Sequence, residues 1–198
     1  MALLSIVFFR WAGATFSGRR NFWLAALAIS SLFPSKGIGQ VESSEYQLKA
    51  VFLFNFAQFV EWPESAFANA DAPIVIGVLG GDPFGPVLDE TVRGERIGGR
   101  SLVIERYRQV GEIGPCHILY ISGSESAHLE SILSALNGRS ILTVSEADRA
   151  ARRGVMIRFV TEKKRVRLRI NLDAAKLAGL TISSKLLRPT EIVTTEKD

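Results

Sequence analysis

Hydrophobic and polar positions change their period along the chain. Residues 45–60 (EYQLKAVFLFNFAQFV) contain neither Gly nor Pro, and Leu48, Phe52, Phe56, Phe59 and Val60 recur near helical spacing, which predicts a first helix. Val51, Leu53 and Phe54 widen its apolar arc almost all the way round. Such a helix is either buried on several sides or part of its face docks a second copy or another protein, because apolar surface beyond one core's needs has a partner. Trp62-Pro63 is expected to end it, since the residue before proline is pushed out of helical dihedrals.

Short apolar runs bounded by turn residues follow at 73–80 (PIVIGVLG), 102–107, 116–121 (CHILYI) and 140–144, the pattern of strands buried on both faces. Between them lie helical signals. Asp82 is expected to cap a helix from Phe84 to about Val92, with Pro83 at its first position. Ser122 to Glu125 match a capping box ahead of Leu129, Ile132, Leu133 and Leu136, and Asn137-Gly138 closes that helix. A further short helix is expected over Glu146–Arg152. Strands alternating with helices imply crossover connections and a mostly parallel sheet flanked by helices. The period then drops to two. Val155, Ile157 and Phe159, then Val166, Leu168, Ile170 and Leu172, alternate with other residues, predicting a C-terminal antiparallel hairpin with Arg158, Arg165, Arg167 and Arg169 on its outer positions. The fold class is a single α/β domain over residues 40–198.

Charge changes the picture at the N-terminus. The chain has 198 residues, with 24 Lys plus Arg against 20 Asp plus Glu. Residues 1–39 hold Arg10, Arg19, Arg20 and Lys36 and no acid, so the whole excess sits there and the remainder is neutral, 20 against 20. Arg19-Arg20 precede the apolar run Phe22–Phe33, then Pro34, Ser35, Gly37 and Gly39, which is the order of a cleaved secretory leader. The run is shorter than the roughly 20 apolar residues of a membrane span, and a retained signal anchor is the alternative to a cleaved leader. A general secretory leader fits better than a twin-arginine one, because two arginines also make an ordinary basic start. Cleavage is expected between Ser35 and Val41, and the product is periplasmic. Within the neutral remainder, residues 149–169 carry nine basic side chains and only Glu162 as an acid. Either neighbouring carboxylates and solvent offset this segment or it meets an anionic patch on a protein or a small anionic ligand. Nucleic acid is a poor partner for an exported chain.

Candidate chemistry is sparse. One cysteine and two histidines leave no disulfide within the chain and few soft metal ligands, so no metal or cofactor is expected. Gly80-Gly81-Asp82-Pro83-Phe84-Gly85 sits where a phosphate loop would, but lacks both phosphate-loop spacings. Ser122, Ser124 and Ser126 make no nucleophile elbow. Cys116 and His117 lie in a core strand and read as packed side chains. No catalytic residue is assigned, which leaves scaffolding and surfaces.

Five stretches carry a resemblance: residues 45–63 (EYQLKAVFLFNFAQFVEWP), 76–85 (IGVLGGDPFG), 116–122 (CHILYIS), 141–145 (ILTVS) and 170–187 (INLDAAKLAGLTISSKLL). In this order they resemble the YfiR family of small bacterial periplasmic regulators. The resemblance implies an α/β domain, often dimeric, that binds and represses the periplasmic part of an inner-membrane diguanylate cyclase of the YfiN type until an outer-membrane lipoprotein sequesters it. Control of cyclic-di-GMP and biofilm would follow. Relatives can carry disulfides, one involving the position of Cys116, whereas this chain has no second cysteine. Partner contact is expected on two surfaces: Phe54, Phe56, Phe59 and Trp62 around the first helix, and a face of Arg165, Arg167, Arg169 and Asn171 with Ser183, Ser184 and Lys185 near it. The alternative is a small-ligand module working with a membrane receptor or sensor kinase, its pocket at the carboxyl ends of the strands near Gly80–Gly85 and Ser122–Ser124.

Overall fold

Eight strands form one mixed sheet whose middle is parallel. The computed structural model describes residues 39–188 and 190–195, with side chains from residue 44 onward, and the leader expected over residues 1–39 lies outside the described side chains. In chain order the elements are α1 (Gly39–Phe59), β1 (Val60–Glu61), β2 (Ile74–Leu79), α2 (Pro86–Val92), β3 (Arg96–Ile97), β4 (Arg100–Tyr107), β5 (Ile118–Ile121), α3 (Leu129–Ala135), β6 (Leu142–Ser145), β7 (Ile157–Glu162), β8 (Arg165–Asn171), α4 (Leu172–Leu177), β9 (Thr181–Ile182), α5 (Ser184–Leu187) and β10 (Glu191–Val193). The sheet runs β10-β8-β7-β6-β5-β2-β4-β3, and β1 pairs separately with β9.

The three central strands are buried throughout, which is why each reads as an unbroken apolar run. Alternate side chains feed two cores. Ile74, Ile76, Val78, Ile118, Tyr120 and Leu142 pack beneath α1 and α2. Leu119, Ile121, Leu129, Ile132 and Ile141 fill the core under α3 on the opposite face. Along α1 the buried apolar positions are Ala50, Leu53, Phe56 and Ala57, at helical spacing, and Val60 of β1 continues them, while Leu48 and Val51 remain exposed. Phe56 stacks on Phe159 of β7 at 5.9 Å between centroids, which ties the helix to the hairpin.

Several boundaries differ from the sequence reading. Helix α1 stops at Phe59, before Trp62-Pro63, because Val60 and Glu61 pair with Ile182 and Thr181. Asp82 does not cap a helix. Its Oδ1 accepts from the amides of Phe84 and Gly85, making a turn, and the proline that opens α2 is Pro86. The box at Ser122 is only half formed: Ser122 Oγ accepts from the Ser124 amide, and a 3-10 turn over residues 123–128 precedes α3. The helix expected over Glu146–Arg152 is a run of turns in which Arg149 has φ 54°, a value that interrupts helical bonding. Strand β3 returns into β4 through Gly98 and Gly99, both at positive φ, the tight hairpin turn that glycine makes without strain. The C-terminal hairpin β7–β8 is antiparallel as expected, and β10 extends it in parallel.

Candidate functional site

The chain leaves β2 toward β4 on one side and returns to β5 on the other, so the carboxyl ends of β2 and β5 form the switch point where open α/β sheets bind ligands. Here that crevice is filled by the protein itself. The Gly81 amide donates to Ser124 Oγ at 3.1 Å, and a Cβ on Gly80 would stand 2.6 Å from the same oxygen, so the two loops lie in direct contact. Over them sits a buried charge cluster. Lys49 of α1 is 2% exposed, and its Nζ donates to Glu45 Oε1 at 2.6 Å and to Glu146 Oε2 at 2.5 Å. Tyr46 donates to the other Glu146 oxygen at 3.0 Å. Burial alone would raise the Glu45 pKa, but the Lys49 ammonium and Thr161 hydroxyl bonded to its carboxylate hold it below the usual value. Tyr120 is fully buried beside this cluster; desolvation, then the Glu146 carboxylate, pushes its pKa above the ordinary range. Its hydroxyl has no well-formed hydrogen bond among the described residues. The cluster clamps α1 to the strand ends.

The residues expected to face a partner fall into three groups. Phe56 is 0% exposed and belongs to the core, because it points at the sheet and stacks on Phe159; it offers no surface. Phe54, Phe59 and Trp62 are half-buried, and Trp62 Nε1 donates to the His117 carbonyl. Ser183, Ser184 and Lys185 join this group, not the arginines: the Ser183 amide donates to the Phe59 carbonyl, and Ser183 Oγ accepts from the Lys185 amide to cap α5. Asn171 is also 0% exposed. Its Oδ1 accepts from the Ala174 amide to cap α4, and its Nδ2 donates to the Ala151 carbonyl and Thr195 Oγ1. The arginines remain as a row. Arg165, Arg167 and Arg169 alternate with the core-facing Val166, Leu168 and Ile170, so they project from the sheet face opposite α1. Carboxylates offset part of the row, Glu191 bonding Arg169 at 2.8 Å and Asp148 bonding Arg158 at 2.8 Å. The aromatic group and the arginine row therefore lie on opposite faces.

His117 is buried and stacked on Phe67 at 4.4 Å. Its Nδ1 accepts from the Val75 amide, which places the proton of the neutral ring on Nε2; that nitrogen makes no well-formed bond among the described residues, the Ala66 backbone being only a weak partner. Desolvation pushes its pKa below the usual histidine value. Burial likewise pushes the Cys116 thiol up to about 12, far from a reactive thiolate. Among the described residues no group of three His, Cys, Asp or Glu side chains is placed to hold a metal. A cleft of about 520 Å³ opens instead beside this ring, bounded by Ala66, Asn69, Val75, Glu105, Tyr107 and His117.

The sequence reading passed over Lys49 and Glu146. The available signal was a lone lysine, four residues after Glu45, within an apolar arc; such a lysine is buried with its partner or breaks the arc. The cleft left no signal, since its walls come from four separate segments. No curated protein matches the chain. The family model described as YfiR/HmsC-like matches residues 46–189, from the clamp residue Tyr46 through α5. The match spans both cores and both candidate surfaces, and the chain belongs to the YfiR/HmsC-like family of periplasmic regulators.

Proposed function

We propose that this protein is an exported, non-enzymatic repressor that binds the periplasmic sensor domain of an inner-membrane diguanylate cyclase and so lowers cyclic-di-GMP and biofilm formation. The observation that carries the reading, beside family membership, is the surface at the end of α1. Phe54 and Phe59 on the two flanks of the helix and Trp62 just beyond it are half-exposed apolar side chains, with Ser184 and Lys185 exposed, the composition of a regulated protein contact. The arginine row on the other face supplies a second, separate contact, which suits a regulator that pairs with itself, or with an outer-membrane lipoprotein, while it holds the sensor. Repression then follows from differential affinity for the sensor's two states.

Pull-down of a purified sensor domain tests the assignment. Trp62→Ala is expected to weaken capture at least tenfold if the aromatic surface faces the sensor, and Arg167→Glu with Arg169→Glu to do so if the row does, each with the fold retained by circular dichroism. Unchanged capture by both variants would remove these surfaces from the mechanism. The cleft beside His117 favours one second reading, a small-ligand module, because it pairs an apolar wall with a buried donor at Nε2. Saturable thermal stabilisation by a metabolite, lost in His117→Phe, would support it.

A further inference from the structure

The β7–β8 hairpin turns through two residues, Lys163 and Lys164, between the paired Glu162 and Arg165. Both lysines have positive φ, 49° and 62°, the arrangement of a type I′ turn. That turn belongs to Asn-Gly or Gly-Gly, because a side chain in the left-handed region crowds the following carbonyl. Folding alone would not choose Lys-Lys here. Charge adds an independent penalty, since Lys163, Lys164 and Arg165 are consecutive cations whose side chains make no ion pair or hydrogen bond among the described residues. Glu162, just before the turn, lies 3.8 Å from Arg167 and from Arg169, and the other carboxylates reach Arg158 and Arg169 further down the hairpin, which leaves the three tip cations without an ion pair. Backbone strain kept at an exposed position points to use.

We propose that the Lys163-Lys164-Arg165 tip contacts the anionic headgroups of a phospholipid membrane and holds the exported protein against the bilayer surface. The chemistry of the tip selects this occupant over a protein. Residues 161–165 are all exposed and contain no aromatic or aliphatic side chain, so the tip lacks the apolar anchor around which protein interfaces are built. Lysines on flexible stems instead suit a diffuse sheet of phosphates, where geometry is not fixed and each cation adds its own attraction. The tip belongs to the basic segment of residues 149–169, which carries nine basic side chains and one acid in a domain that is otherwise net acidic, and such a segment is attracted to a negative surface. The proposal adds to the repressor reading without resting on it.

Protein recovered from the periplasm is tested by co-sedimentation with vesicles of phosphatidylglycerol and phosphatidylethanolamine, and with neutral phosphatidylcholine vesicles, at low and high salt. Partitioning is expected onto the anionic vesicles alone and to fall as salt rises. Lys163→Asn with Lys164→Gly replaces the strained pair with the favoured turn. It is expected to lower partitioning about 25-fold, at about fivefold per cation, while raising Tm by about 2–6 °C. Lys163→Arg with Lys164→Arg keeps the charge and is expected to bind as the parent does. Equal binding by the Asn-Gly variant, binding indifferent to lipid charge, or loss of binding in the Arg-Arg variant would each overturn the proposal. Capture of the soluble sensor domain is expected to be the same for the Asn-Gly variant and the parent. Vesicle binding kept while sensor capture is lost would assign the tip to a protein contact and refute the membrane one.

Discussion

Replacing Lys49 by Met keeps the length of the buried stem and removes the ammonium that joins Glu45 to Glu146. The parent lysine is almost wholly buried, and both carboxylates lie within 2.6 Å of Nζ. Breaking a buried pair by deleting one partner costs about 3–5 kcal/mol, because the other charge is left without compensation. Here each carboxylate keeps about a quarter of its side-chain exposure and can turn partly to water, which lowers the expected loss to about 2–4 kcal/mol. For a domain of this size that lowers Tm by about 5–15 °C. The pH dependence separates this account from a simple packing loss. Glu45 titrates below its usual 4.5 in the folded protein, so its contribution is present above that pH and is lost as pH falls through the folded value. Without Lys49 the burial of Glu45 raises its pKa instead, so acid relieves the variant while it weakens the parent. Urea unfolding at pH 7 and pH 4 is expected to show the difference between the two proteins shrinking at low pH. Glu146→Gln in both backgrounds is expected to give a coupling above about 1 kcal/mol. A loss below about 1 kcal/mol at pH 7, or one constant with pH, would refute the clamp.

Other substitutions separate core from surface. Phe56→Ala is expected to cost about 3–5 kcal/mol in urea unfolding, whereas Leu48→Ala, at an exposed position on the same helix, should stay within about 0.5 kcal/mol. Cys116, with its thiol pushed up to about 12 by burial, is expected to resist a thiol reagent at pH 8 until the protein unfolds; rapid native labelling would contradict its placement. His117 titrates below its usual value and is held neutral, so the unfolded chain binds the extra proton and stability falls as pH drops below about 6.5. Unfolding of His117→Phe between pH 7 and pH 5 should lose that component.

What the sequence could and could not show follows from whether a feature is local. The strands at 74–79, 118–121 and 142–145 are covered on both faces, so every residue obeys one rule and the run is legible. The hairpin is legible for the complementary reason, that one face is buried and the other is not. Its alternation breaks at Asn171, which stands in phase with Arg165, Arg167 and Arg169 yet is wholly buried, because there the chain leaves the strand and needs a cap for α4. Period cannot reveal that change; only the carbonyl and hydroxyl of Ala151 and Thr195, which close around its amide, can. Phe56 fails in the same way. On a helix apolar nearly all round, spacing cannot say which side meets the sheet, and the side is fixed by Lys49, whose partner Glu146 lies 97 residues away. The turn at Lys163 and Lys164 was hidden because its residues contradict its geometry. That contradiction gives the Asn-Gly substitution its value: it removes local conflict and charge together, so a chain that gains stability and still binds membranes would show the conflict to be accidental, and one that gains stability and lets go would show what the conflict was kept for.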